Sequence, residues 1–98
     1  PKTYLSLLRA DAGSEKDLYA FLTHAKAVSS ALSAVKLFGP VAAPMEKKAG
    51  RWRGQILVQS ERRPNLQTFL NHWVGELAKL KSSARVRWSI DVDPVDLF

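Results

Sequence analysis

Arginine is the residue type through which this sequence could do chemistry, and it recurs at two spacings. Arg51 and Arg53 are two residues apart, as are Arg85 and Arg87. On a strand that spacing puts each pair on one side of a sheet, because side chains alternate with a period of two. Lys47 and Lys48 stand just before the first pair. Cations gathered on one sheet face can grip backbone phosphates, each contact releasing counterions. A solvated face, or one docked against another domain, is the alternative. Arg63 and Gln67 follow the other spacing: they lie one helical turn apart, with Asn71 beyond them. An arginine fork beside the free backbone N–H groups that open a helix suits a carboxylate, although most arginines so placed are simply solvated.

Other chemistries lack their residues. The five glycines are scattered singly, so no phosphate-cradling loop of the Walker type can form. His24 and His72 are far apart in sequence and have no carboxylate pattern suggesting a triad or a metal. Asp91, Asp93 and Asp96 lack the glycine and distal glutamate of a calcium loop, and read as a polar strand end. With no cysteine there is neither a disulfide nor a thiolate metal site, which suits a reducing cytosol. The formal net charge is +6, and from Lys47 to Arg87 ten Lys or Arg residues face only Glu61 and Glu76. Such a balance favours a polyanionic partner, nucleic acid or an acidic peptide.

The elements that must position these residues follow from apolar periodicity. Lys2 to Ala10 reads as a strand closed by the turn Asp11-Ala-Gly13. Ser14 caps a helix, with Glu15 and Asp17 in its first turn and Leu18, Phe21, Leu22, Ala25, Val28 and Leu32 striping it to about Ala34. Val35 to Phe38 is a second strand, stopped by Gly39-Pro40, and Val41 to Gly50 a loop. Arg51 to Ser60 is the third strand: Trp52, Ile56 and Val58 face one way, the arginines, Gln55 and Gln59 the other, and Gly54 marks a bulge or a close approach. Pro64 opens the second helix, striped by Leu66, Phe69, Leu70, Trp73, Val74, Leu77 and Leu80. The last strand is Arg85 to Val92, with Val86, Trp88, Ile90 and Val92 facing opposite to Arg85, Arg87, Ser89 and Asp91. The order β-α-β-β-α-β predicts an α+β two-layer sandwich of ferredoxin-like type, with both helices on one face of a four-stranded sheet. Its core is expected to combine Leu5 or Leu7 with Phe21, Ile56, Phe69, Trp73, Trp88 and Ile90.

Two ordered blocks carry a resemblance. Val86-Arg-Trp-Ser-Ile-Asp-Val-Asp-Pro94 near the end, and Leu37-Phe-Gly-Pro40 with Ala43-Pro-Met45 and Arg51-Trp-Arg53, resemble the C-terminal domain of primosomal protein N′, the bacterial replication-restart DNA helicases (PriA). The resemblance extends over nearly the whole chain. It implies a fold similar to a small-subunit ribosomal protein and a non-catalytic C-terminal accessory domain. Its implied partners are branched DNA, the helicase core of the same polypeptide, other primosome proteins and the acidic tail of single-stranded-DNA-binding protein. Arg63 and Gln67 occupy the positions that the family contributes to that tail site. The parent's 3′-5′ helicase motifs, with ATP and magnesium, and its zinc-binding cysteines would lie outside this chain, which is expected to hold no cofactor itself.

Residues 1–98 are thus expected to form one domain with one core, large enough at 46% hydrophobic residues. The start at Pro1 predicts a piece of a longer protein. No apolar run approaches the roughly 20 residues that span a bilayer, so a cytoplasmic protein with no membrane partner is expected. An RNA-binding module of ribosomal type and a purely structural docking domain are the rival readings.

Overall fold

Alternation along two long strands organises the fold. The computed structural model describes residues 3–29, 35–40, 47–48 and 50–93, with the side chains of 47 and 48 left aside. Strand β1 (Tyr4–Ala12) is followed by helix α1 (Glu15–Val28), β2 (Lys36–Phe38), β3 (Lys47–Lys48), β4 (Arg51–Ser60), helix α2 (Arg63–Lys79), a 3-10 helix (Lys81–Arg85) and β5 (Val86–Val92). The antiparallel sheet has the order β2-β4-β1-β5, and β3 pairs with the start of β4. Both helices pack on one face, as expected for the ferredoxin-like class.

Register fixes which side chains meet the helices. Leu8 stands opposite Ile56 on one side and Ile90 on the other; Ala10 opposite Gly54 and Trp88; Ala12 opposite Trp52 and Val86. These positions join Leu18, Phe21, Leu22 and Ala25 of α1 and Leu66, Phe69, Leu70, Trp73 and Leu77 of α2 in one core. Trp73 is fully buried, and its indole Nε1–H donates to the Ala25 carbonyl at 3.0 Å, so the largest core side chain also ties the helices together. Phe69 and Trp73 are 5.1 Å apart by ring centroid, and Trp88 reaches Phe21 at 6.1 Å. Ser14 caps α1 through its hydroxyl, which accepts from the Asp17 N–H at 3.0 Å.

Several sequence expectations need correction. The first strand does not end at Ala10: Asp11 and Ala12 continue the ladder, because Gly13 and the Ser14 cap supply the turn. The core parity of β1 belongs to Leu8, whereas Leu7 is fully buried on the opposite side between Leu57 and Asp91. Leucines at 5, 7 and 8 fit both parities, so alternation alone could not choose. Lys47 and Lys48 lie in a short strand and not in a loop, opposite Trp52 and Arg51. Gly50, at φ 79°, turns the chain between β3 and β4 in a conformation that glycine adopts without cost. Register along β4 is unbroken, so Gly54 is no bulge. Val74 is 42% exposed and outside the core stripe. Pro64 is the second residue of its helix, which Arg62 caps without a side-chain bond. The extension of α1 beyond Ser29 to Ala34 lies outside the described residues, as does the Ala43-Pro-Met45 block.

Candidate functional site

The side of the sheet away from the helices collects the charge. Arg9 and Asp11 project there from β1, Arg51, Arg53, Gln55 and Gln59 from β4, and Arg87, Ser89 and Asp91 from β5, by the same register that sends Leu8, Ile56 and Ile90 to the core. Because β1 is central, Asp11 sits between arginines on both neighbouring strands. Its carboxylate Oδ1 accepts from Arg51 Nε at 2.5 Å and from Arg87 Nε at 2.9 Å. Arg51 also reaches the Asp11 carbonyl at 3.3 Å. Asp91 Oδ2 accepts from Arg9 Nε at 2.7 Å. Arg9, Asp11, Arg53, Gln55, Arg87 and Ser89 line a shallow depression on this face.

Burial works to raise the Asp11 pKa, but the hydrogen bonds and charges of Arg51 and Arg87 outweigh it and hold the carboxyl below its ordinary value. It therefore stays an anion at neutral pH and offsets part of the arginines' field. The four arginines exceed Asp11 and Asp91 by two charges, so the face remains basic.

The sequence places Arg85 beside Arg87, and the structure does not. Arg85 closes the 3-10 helix, and with Lys81 and Ser82 it borders a recess that Asp17 and Ala20 of α1 also line, on the helix side. The apolar alternation of the last strand begins at Val86, and extending it back by one residue puts Arg85 on a ladder it does not join. Trp52 and Trp88 pack against the core, as their parity predicts, and are not offered to bases on the open face. Asp91 lies on the side its alternation predicts, whereas Arg9 and Asp11 join the face without having been expected there. An alternating read of β1 in the Leu7 phase, carried past Ala10, would have found both.

Arg63 and Gln67 fall on one side of α2 and are both exposed. The Arg63 guanidinium lies 5.2 Å from the Tyr4 ring centroid, and Gln67 Nε2 donates to Asn71 Oδ1 at 3.2 Å. The strip Arg63, Gln67, Asn71 is thus continuous along two turns. His24 Nδ1 lies 3.0 Å from Ser82 Oγ, and His72 Nε2 3.5 Å from Glu76. Among the described residues no three His, Cys, Asp or Glu side chains gather as a metal site. No described helix is long and apolar enough to cross a membrane.

Fold and site define a ferredoxin-like α+β unit with a basic open sheet face. Solved structures share the fold: the designed protein Foldit4 aligns with a TM-score of 0.63 at 11% identity, covering 95% of this chain and 100% of its own. A dimeric ferredoxin-like protein from an uncultured marine organism aligns at 0.62 and 11% identity, covering 96% and 97%. Over residues 1–95 the sequence matches the family described as the primosomal protein N C-terminal domain, and the chain belongs to that family. Among its relatives, the replication restart protein PriA of Haemophilus influenzae is 39% identical over 69 residues, 70% of this chain, and that of Rickettsia typhi 40% identical over 60 residues, 61% of this chain. The matched region spans 9% of the length of either relative.

Proposed function

We propose that residues 1–98 form the C-terminal accessory domain of a cytoplasmic replication-restart helicase, non-catalytic alone, which holds branched DNA and a partner's acidic tail near the motor. The observation behind this reading is the open sheet face, where Arg9, Arg51, Arg53 and Arg87 gather from three adjacent strands without a helix over them. On β3, Lys48 holds the register position opposite Arg51 and is the further cation of this grip, whereas Lys47 stands opposite the helix-side Trp52. Cations at strand spacing meet successive phosphates of a duplex without reading its bases, so affinity here is electrostatic and independent of sequence. Arg85, on the helix side, has no part in this grip.

Arg63 and Gln67 take the acidic tail of single-stranded-DNA-binding protein. The arginine fork gives two parallel hydrogen bonds to a carboxylate, and the amide adds one from the next turn. The helicase core of the same polypeptide and other primosome proteins complete the assembly. Hydrolysis of ATP with magnesium, and any zinc, belong to the remainder of that longer protein.

Fluorescence anisotropy with labelled forked DNA and with a structured RNA of equal charge tests the DNA reading. Forked DNA should bind more tightly, and unlabelled fork should displace it. Equal or stronger binding of the RNA would transfer the face to the ribosomal-type reading.

A further inference from the structure

Asp11 is a carboxylate set among the cations that the proposed DNA site needs. Its single Oδ1 accepts from Arg51 at 2.5 Å and from Arg87 at 2.9 Å, joining cations on opposite sides of β1. The depression around it is lined by Arg9, Arg53 and Arg87, and Arg9 is itself paired with Asp91. Two guanidinium groups on one carboxylate, with Arg9 and Arg53 on the same face, have the composition of an anion site already filled by an anion of the chain.

Two properties let another anion enter. The Asp11 side chain is 29% exposed and that of Arg87 71% exposed, so water reaches both partners and the ion pair is only partly shielded. The arginines stand on paired strands, so exchanging one acceptor for another needs only side-chain rotation. A tethered carboxylate meets its arginines at a high effective concentration, which a lone anion cannot match. A polyanion can, since it presents several phosphates together and releases counterions at each.

We propose that this depression is a phosphodiester site for the DNA backbone in which Asp11 is a resident counter-ion, holding Arg51 and Arg87 until a backbone phosphate replaces it. This deepens the DNA reading above and rests on it. Asp11 then weakens binding of isolated anions and reserves the arginines for a chain of phosphates.

The test is anisotropy of the chain with labelled forked DNA across a salt series. Asp11→Asn keeps the side chain's shape and removes its charge; it should bind about three- to ten-fold more tightly, with a salt slope steeper by about 0.9 for each additional phosphate neutralised. Unchanged or weaker binding by a folded Asp11→Asn protein overturns the counter-ion role. If Arg51→Ala with Arg53→Ala weakens binding in the same series, the DNA reading survives that failure. If the arginine variant also binds as wild type, both readings fall. Because Asp11 links three strands, a measurement on the wild-type chain guards against misfolding of the variant. The NMR carboxyl resonance of Asp11 should move as forked DNA saturates the chain, and a resonance that stays in place overturns the proposal.

Discussion

The Arg63 guanidinium lies over Tyr4, 5.2 Å from the ring centroid, and a stacked guanidinium keeps its N–H edge available for a planar acceptor. Arg63→Ala should therefore weaken binding of an acidic C-terminal peptide by about 1.5–3 kcal/mol, and Gln67→Ala by about 1. Lysine at 63 should restore charge without the fork and rescue only part of the loss. Calorimetry with the tail peptide on the longer protein measures this, and wild-type affinity in Arg63→Ala would contradict the assignment. The helical spacing of Arg63, Gln67 and Asn71 was legible in the sequence because it is local. The Tyr4 stacking was not, since it joins the first strand to the second helix from far along the chain. Asp11 makes a second prediction at this scale. Its pKa is lowered in the folded chain, so its ion pairs stabilise the fold fully above the unfolded value of about 3.9, and that stability is lost as pH falls through the lower folded value. Thermal melts should show a larger drop below about pH 4 for wild type than for Asp11→Asn. Parallel acid limbs would contradict the Asp11 contribution.

The helices and β4 were readable because each carries one uninterrupted period over ten or more residues, and β4 runs from Arg51 to Ser60 as its alternation predicts. The errors fall where the period is short or doubly satisfied. Leucine at 5, 7 and 8 left β1 with two possible core faces, β3 has only two residues, and the 3-10 helix before β5 borrowed Arg85 from the expected strand. Packing between elements separates two tryptophans that look alike in sequence. Trp73 is fully enclosed and hydrogen-bonded to α1, so Trp73→Ala should cost about 3–5 kcal/mol. Trp88, half-buried against Phe21 near the sheet edge, should cost about half as much. Denaturant melts that rank Trp88 above Trp73 would contradict the packing. Within α2, a Cβ at Gly75 would meet nothing within 4 Å. Gly75→Ala should consequently raise stability by about 0.5–1 kcal/mol in the same assay, through lower entropy of the unfolded chain and better helix propensity.

Across the whole molecule the sheet divides labour: one face binds the two helices and builds the core, and the other gathers arginines from three strands. The basic balance, the Arg51 and Arg53 pair and Arg87 announced that polarity, but its extent depended on register, which brings Arg9 and Asp11 beside residues some 40 to 80 positions away. No local pattern could state that Asp11 would neutralise part of the face. The family relation and the fold agree on the class, while the proposed grip on DNA rests on this surface alone. Binding of forked DNA by the wild-type chain and by the Arg51→Ala, Arg53→Ala double variant, measured over a salt series, tests that grip most directly. Removing two phosphate-binding arginines should weaken binding at every salt concentration and flatten the slope of log K against log salt by about 1.8, at about 0.9 per duplex phosphate. An unchanged affinity and slope would contradict the open sheet face as the DNA-binding surface.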